Sequence, residues 1–478
     1  MTAHQNFIGG KWTPTPESIP VLNPSDGQEM ARIARGGAAE IDAAVAAGEA
    51  ALAGAWGRTD AATRGRLMLK LAELIRRDVE ILARMESEDV GKPLTLARSD
   101  ATVCARYFEY YGGAADKVHG DTIPFQNGFT VMTVYEPHGV VGVIVPWNYP
   151  LQMSGRSVAP ALAMGNAVVL KPAEDTSLSA LHLAKLAEEA GFPAGSLNVV
   201  TGLGEEAGAA LASHPGIHHV SFTGSPEVGT LIQAAAAKNT IPVTLELGGK
   251  SPQVVFADAD LDDAAATIVK AITQNAGQTC SAGSRVLVED SIYDSFTADL
   301  ARRFAALKVG SGEQDLDLGP VVNANQKRRI EGYLELARQQ NGPRILAQGE
   351  FGTNVPEAGF YVRPTLIGDV DPDHRLAQEE IFGPVLVAIR MRDEAEALAI
   401  ANGTQYGLVA GIWTSDIGKA LRLAQGIRTG QVFINNYGAG GGVELPFGGM
   451  KRSGHGREKG FEALYGFAAL KTIAIKHG

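Results

Sequence analysis

The chain has 478 residues and only two cysteines, Cys104 and Cys280. Two thiols cannot make a disulfide framework in a chain this long, and they suit a reducing compartment. No apolar run approaches the length needed to span a bilayer. The opening residues, Met1 to Trp12, are polar and lack the apolar core of a secretory leader, so the expected location is cytoplasmic. Charge is not concentrated anywhere. The net charge of −11 is spread along the chain, which argues against a nucleic-acid or anionic-membrane surface. The sequence has no G-x-S-x-G nucleophile elbow, no His-Glu-x-x-His and no C-x-x-C. His214, His218 and His219 lack the spacing of a zinc site, so no metal is expected. The acidic run from Asp258 to Asp263 has no glycine at its sixth position and Val269 at its twelfth, which excludes a calcium loop. It reads instead as a helix N-cap followed by an acidic first turn.

What is present is ordinary soluble composition, 45% hydrophobic and 20% charged. The length exceeds what one hydrophobic core supports, so two or three domains are expected. A polar lead is followed by helical stretches at Glu40 to Trp56, Arg64 to Asp89 and Leu94 to Tyr111, with Gly112-Gly113 expected to end the run. Thr122 to Tyr135 alternates around an Asn127-Gly128 turn, as a hairpin does. Short apolar strands then alternate with helices. Strands are expected at Val140 to Val145, Ala167 to Leu170, Leu197 to Val200, His219 to Phe222 and Val243 to Leu247. The intervening helices are Leu178 to Ala190, Glu205 to Ser213 and Pro226 to Lys238. This spacing specifies an open, mostly parallel sheet covered on both faces.

A second α/β series starts near Ser251, with helices at Asp260 to Gln274, Tyr293 to Lys308 and Gln326 to Gln340. A further strand is expected to open within Glu379 to Ile389. Gly438 to Gly442 reads as an irregular loop, and Ala468 to Lys476 as an edge strand.

One stretch carries a candidate nucleophile. Gly277 to Arg285 sets Cys280 among small and polar residues, which gives a thiol access. A buried inert thiol remains the alternative there, and it is the expected state of Cys104, in a helix beside Val103 and Tyr107. Thr223-Gly224-Ser225-Pro226-Glu227-Val228-Gly229 follows a strand and opens a helix, so free N–H groups and the helix dipole could meet a phosphate. The same turn is also stable with no ligand. Lys171 and Glu174 lie at the carboxyl end of a strand, where they could bond ribose hydroxyls. A carboxylate there repels a 2′-phosphate and favours NAD over NADP; a solvated loop is the plainer reading.

Gly249-Lys250-Ser251 mimics the end of a P-loop, but Thr244 replaces its first glycine. Glu246, ending an apolar strand before two glycines, would be partly desolvated, with its pKa raised toward that of a general base. Asn148, held within Pro146-Trp147-Asn148-Tyr149-Pro150, is placed to donate to a developing oxyanion.

Taken together and in order, these motifs resemble the NAD(P)-dependent aldehyde dehydrogenase superfamily, of the hydrolytic, non-acylating kind. Glu379 to Pro384, Pro446 to Gly449 and Ser453 to Glu458 extend the match over nearly the whole chain. The resemblance implies Cys280 as nucleophile, Asn148 with the Cys280 N–H as oxyanion donors, Glu246 as the base activating water, and Glu458 as a secondary carboxylate. It implies a cofactor site of Trp147, Lys171, Glu174, Gly224, Ser225, Gly229, Glu380 and Phe382, with Trp147, Lys171, Glu174 and Ser225 along the adenosine and pyrophosphate part, Glu380 on the nicotinamide ribose and Phe382 against the nicotinamide. Met153, Arg156 and Tyr437 would line the substrate tunnel.

The implied fold is α/β in three parts: a Rossmann-like NAD-binding domain (1–115 and 137–247), an α/β catalytic domain (248–447), and a β oligomerisation flap (116–136 and 463–478). Residues 448–462 return to the cofactor domain. Homodimer or homotetramer is expected, with a small-molecule aldehyde as substrate. Many relatives carry a lysine where this chain has Ser157. Arg156 replaces a tunnel aromatic and suggests either a semialdehyde dehydrogenase, with Arg156 on an anionic tail, or an arginine held in a structural ion pair. A CoA-acylating enzyme would not need the activated water that Glu246 implies. A non-catalytic cofactor-binding protein would have lost one of Cys280, Asn148 and Glu246, and all three are present.

Overall fold

A computed structural model describes residues 3–339 and 342–478. It contains two large sheets, each with helices on both faces. In the first, five parallel strands lie in the spatial order Leu197–Val199, Ala167–Pro172, Val140–Val145, His219–Thr223, Val243–Glu246. Numbered along the chain, that order is 3-2-1-4-5, the Rossmann-type arrangement. Its switch point falls between Val140–Val145 and His219–Thr223, where a crevice opens at the carboxyl ends. The strands are buried on both faces, which explains their nearly continuous apolar runs. Antiparallel edges are added by Asn6–Ile8 with Lys11–Thr13, and by Gly454–His455.

The second sheet runs Arg344–Gln348, Thr365–Gly368, Val385–Met391, Arg285–Glu289, Pro252–Val255, Val409–Trp413, Gln431–Ile434, parallel except at its first member. A third, three-stranded sheet orders Ala468–Lys476, Phe129–Pro137 and Thr122–Ile123. Gly128, at φ +83°, makes the expected hairpin turn. The Ala468–Lys476 strand is an edge, and every residue after Ala468 in it is exposed.

Several expectations need correction. The polar lead, for which the sequence predicts no element, holds four short strands, from Asn6–Ile8 to Glu29–Ala34. They are too short and too mixed to show a period. The expected helix Arg64 to Asp89 is two, Ala61–Arg77 and Val79–Val90, broken at Asp78. There the Asp78 carboxylate bonds Arg77 Nε at 2.7 Å and the His182 ring at 2.8 Å. Gly112 and Gly113 do not end a helix; they lie inside Leu94–Ala114. A Cβ on Gly65 would fall 2.5 Å from the Gly112 carbonyl oxygen, so two helices cross on these glycines.

Part of the Glu205 to Ser213 stretch is a π-turn, Gly204–Gly208, before a short α-turn. Glu379 to Pro384 is a loop, with the strand starting at Val385. Gly438–Gly441 forms a 3-10 turn. The third helix of the second series spans Ala324–Arg338; Gln340, its expected end, lies outside the described residues. Residues 394–434 add two helices and two strands of the second sheet. Asp260 does cap its helix, accepting the Asp263 N–H at 3.1 Å, and Cys104 is a fully buried core thiol. No described helix is long and apolar enough to cross a membrane.

Candidate active site

The two large sheets meet with opposite edges. The first presents the carboxyl ends of its strands. Asn148 follows Val140–Val145, Lys171 lies at the end of Ala167–Pro172, Ser225 follows His219–Thr223, and Glu246 ends Val243–Glu246. The second presents loops that run into its strands. Cys280 precedes Arg285–Glu289, and Glu380 and Phe382 precede Val385–Met391.

Asn148 is the join between them. Its Nδ2 donates to the Gln278 carbonyl at 2.8 Å, and its own carbonyl accepts from Asn275 Nδ2 at 2.9 Å. Tyr149 repeats the link, its hydroxyl 2.9 Å from Thr279 Oγ1. The Cys280 loop is bent by three consecutive left-handed residues, Asn275, Ala276 and Gly277, at φ +50°, +53° and +72°. Asn tolerates this region and glycine enters it freely, but alanine is strained there. A Cβ on Gly277 would strike the Gly383 carbonyl oxygen at 2.1 Å, so this turn packs directly on the Glu380 loop. Buried Gln278 pins it further, accepting the Val322 N–H at 2.9 Å. The sequence offers no sign of Gln278, whose role depends on contacts 44 or more residues away.

Cys280 is partly exposed and packs with Leu408, Val409, Phe447 and Tyr437. Desolvation pushes its thiol up to about 12, and Arg156 is the strongest opposing influence. The free site therefore holds a thiol that must lose its proton on attack. Glu246 is 1% exposed, and neither carboxylate oxygen has a hydrogen-bond partner among the described residues. An unpaired buried carboxylate costs several kcal/mol in ionised form, on the order of that for any buried charge. Its pKa accordingly lies well above the usual range, raised by burial and by Glu458, lowered by Arg156.

Glu458 is fully buried, accepting from Ser157 Oγ at 2.7 Å and Ser221 Oγ at 2.6 Å while pairing with Arg156. The Arg156 guanidinium also donates to Thr223 Oγ1 at 2.7 Å, and Thr223 pairs in register with Glu246. Arg156 is thus held in a buried structural ion pair near Glu246, and its 3% exposure leaves its guanidinium engaged rather than open to a substrate tail. Of the other tunnel candidates, Tyr437 reaches the site, donating to the Ser281 carbonyl at 2.6 Å. Met153 is 5% exposed, within the apolar core around the first sheet.

The candidate cofactor residues form two groups. Lys171 Nζ donates to Glu174 at 2.9 Å. Ser225 caps the helix Pro226–Ala237, accepting the Val228 N–H at 3.3 Å. A Cβ on Gly229 would lie 2.6 Å from Leu247, so this glycine seats that helix against the strand end. On Gly224 it would strike the Phe222 ring at 2.4 Å. In the other group, Glu380 accepts the Gly249 N–H at 2.8 Å, and burial pushes its carboxyl up to about 7. A Cβ on Gly248 would fall 2.1 Å from that carboxylate. Phe382, left-handed at φ +61°, meets Trp147 edge to face with centroids 5.3 Å apart. Trp147 therefore sits beside the residue expected at the nicotinamide. These positions fit a dinucleotide: a helix N-terminus at the switch point, a carboxylate at a strand end beside a lysine, and a second carboxylate across the crevice.

A separate surface pocket of about 130 Å³, lined by Phe7, Phe192, Pro193 and neighbours, holds none of these groups.

Comparison with known proteins agrees with this geometry. The chain is 45% identical to an aldehyde dehydrogenase of Emericella nidulans over 97% of its own length and 92% of the relative's. It superimposes on the solved structure of a candidate aldehyde dehydrogenase from Burkholderia cenocepacia with a TM-score of 0.98 at 61% identity, covering 99% and 100% of the two chains. It also matches betaine aldehyde dehydrogenase of Staphylococcus aureus, solved with NAD+, at a TM-score of 0.96 and 35% identity over 100% and 95% of the chains. With the aldehyde dehydrogenase family profile spanning residues 12–473, the chain belongs to the aldehyde dehydrogenase family, oxidoreductases that act on aldehydes.

Proposed function

We propose that this protein oxidises an aldehyde to its carboxylic acid with NAD, and that water is the final acyl acceptor. The observation that carries the reading is Glu246: a buried carboxyl with both oxygens unpartnered, ending a strand beside the Cys280 loop. Such a group has lone pairs to spare for a water and a pKa suited to take its proton.

Cys280 adds to the carbonyl as its proton leaves, giving a tetrahedral thiohemiacetal. The Asn148 amide, now on the Gln278 carbonyl, and the Cys280 N–H hold the oxyanion in a site from which water is largely excluded. NAD, when bound, supplies the hydride acceptor that no side chain can replace. Lys171, Glu174 and Ser225 would hold its adenosine and pyrophosphate half; Glu380, Phe382 and Trp147 its nicotinamide half. Loss of hydride from the thiohemiacetal carbon, as its oxyanion closes to a carbonyl, leaves a thioester on Cys280 Sγ. Glu246 then takes a proton from water, whose oxygen attacks that thioester and releases the acid with the Cys280 sulfur as leaving group. Glu458, fixed by two serines and Arg156, sets the field around Glu246. Glu174 favours NAD over NADP, because a half-buried carboxylate there repels a 2′-phosphate.

The proposed domains are 1–115 with 137–247 for the cofactor, 248–447 for catalysis and a flap of 116–136 with 463–478, with 448–462 returning to the cofactor domain. The presence of two large sheets and a separate three-stranded one supports this division. The exposed Ala468–Lys476 edge is where a second subunit would pair, giving a homodimer or homotetramer. Two free thiols suit a cytoplasmic setting.

The test is NADH formation from an aldehyde panel with and without CoA. Turnover without CoA, with free acid as product, is expected. NADH that appears only with CoA would show an acyl-transferring enzyme, and no turnover on a broad panel would show a binding protein.

A further inference from the structure

We infer that Lys459 is the substrate-selecting cation of this site, taking the terminal carboxylate of an aldehyde whose carbonyl reaches Cys280. This rests on the reading of Cys280 as nucleophile. Two cations lie against the Phe447 ring, Arg156 and Lys459, and only the first is matched by a carboxylate within salt-bridge distance among the described residues. Glu458 is matched by Arg156 and two serine hydroxyls. Glu444 is matched by Arg106. Lys459 makes no salt bridge among the described residues, and its ammonium donates to a single neutral acceptor, the Gly441 carbonyl, at 2.9 Å.

Its position is built rather than incidental. Antiparallel bonds between Phe447 and Glu458, 2.6 and 2.8 Å, fix the chain on one side, and Gly460 N–H to Val443 carbonyl at 2.8 Å fixes it on the other. Between them Lys459 is forced to φ +61°, followed by Gly460 at +63°. A left-handed lysine is uncommon and strained, and such outliers persist where the surroundings over-determine them. The result is an ammonium 5.8 Å from the centre of the Phe447 ring, which belongs, with Leu408 and Val409, to the small apolar cluster that Cys280 and Tyr437 pack against. Arg156 lies 5.5 Å from the same ring, so this corner is cationic while the arginine is already engaged. Burial holds the Lys459 ammonium down to about 8, which an arriving carboxylate would relieve.

The anion site that the sequence suggests at Arg156 thus passes to Lys459. An unpaired, half-buried ammonium is a poor neighbour for an apolar tail and a good one for a carboxylate.

The experiment compares kcat/KM for 4-oxobutanoate and 6-oxohexanoate, each against its own methyl ester, in the intact protein with NAD. The ratio of acid to ester is expected to fall about tenfold or more in Lys459→Gln at one chain length or both, and to recover in Lys459→Arg. An unchanged ratio at both lengths, or equal losses on acid and ester, overturns the assignment and leaves Lys459 as a tether for Gly441. Absence of NADH from every compound with the unsubstituted protein overturns the functional reading instead.

Discussion

The two large sheets deliver chemistry in opposite ways. The first places Asn148, Ser225 and Glu246 on or just beyond the carboxyl ends of parallel strands, where the ladder itself sets their positions. The second places Cys280, Glu380 and Phe382 on loops entering its strands, where no ladder reaches. Those loops are held by other means: four left-handed residues (Asn275, Ala276, Gly277 and Phe382), close glycine contacts, and hydrogen bonds across the crevice. One half is rigid by regular structure and the other by local strain. The proposed oxyanion donor Asn148 belongs to the first, the proposed nucleophile Cys280 to the second, and the Asn148–Gln278–Asn275 bonds hold them in register.

Substitutions that separate the halves sharpen this contrast. Cys280→Ala removes the nucleophile of the second half and should cut NADH formation at least about a thousandfold. The first half should still bind NAD, read by quenching of protein fluorescence; loss of binding as well would show that the halves are not separable. Glu246→Gln, on the first half, should leave the initial burst of NADH and slow steady turnover by about a hundred- to ten-thousandfold. Turnover at the unsubstituted rate would remove Glu246 from the role of base.

The pH profile reports the same group. A general base works when deprotonated, and burial raises the pKa of Glu246. Steady turnover should therefore be lost as pH falls through that raised pKa and recover as pH rises past it, with a midpoint above the ordinary glutamate range. A flat profile would contradict it.

A direct comparison sets Asn148→Ala, at a strand end, against Asn275→Ala, in the strained loop. The first should lower kcat by about a hundredfold and, losing one buried bond without backbone strain, should cost about 1 kcal/mol of stability. The second should destabilise the fold by about 1–3 kcal/mol, because alanine resists the left-handed turn and loses a buried bond, and should lower kcat less. If both variants showed the same balance of kcat and Tm, strand end and strained loop would not differ as argued. The smallest effect expected is Glu174→Ala, which should raise kcat/KM for NADP relative to NAD by about tenfold through lost repulsion.

The first half is largely legible in the sequence. Its strands are buried on both faces, so they appear as unbroken apolar runs, and the residues beyond their carboxyl ends can be named by position. Glu246 and Asn148 stand out that way, and Ser225 by its place at a helix N-terminus. The second half is legible only at Cys280, through its small neighbours, and at Glu380 and Phe382, through resemblance. Asn275 and Gln278 give no sign because their work is done through partners as distant as Asn148 and Val322. Gly112 misleads because glycine marks both helix ends and helix crossings, and only the approach of Gly65 tells them apart.

The sequence alone determined the α/β class, the strand-and-helix alternation and the identity of a thiol, an amide and a carboxylate suited to acyl chemistry. These follow from periodicity and side-chain type, which are local. Tertiary structure decided what each charge is doing. Arg156, open to either reading in one dimension, is committed to Glu458 and Thr223. Lys459, silent in the sequence, makes no salt bridge among the described residues while lying close enough to Cys280 to feel its charge. Whether a charge is free depends on its neighbours in space, and here those neighbours come from strands and loops far apart along the chain.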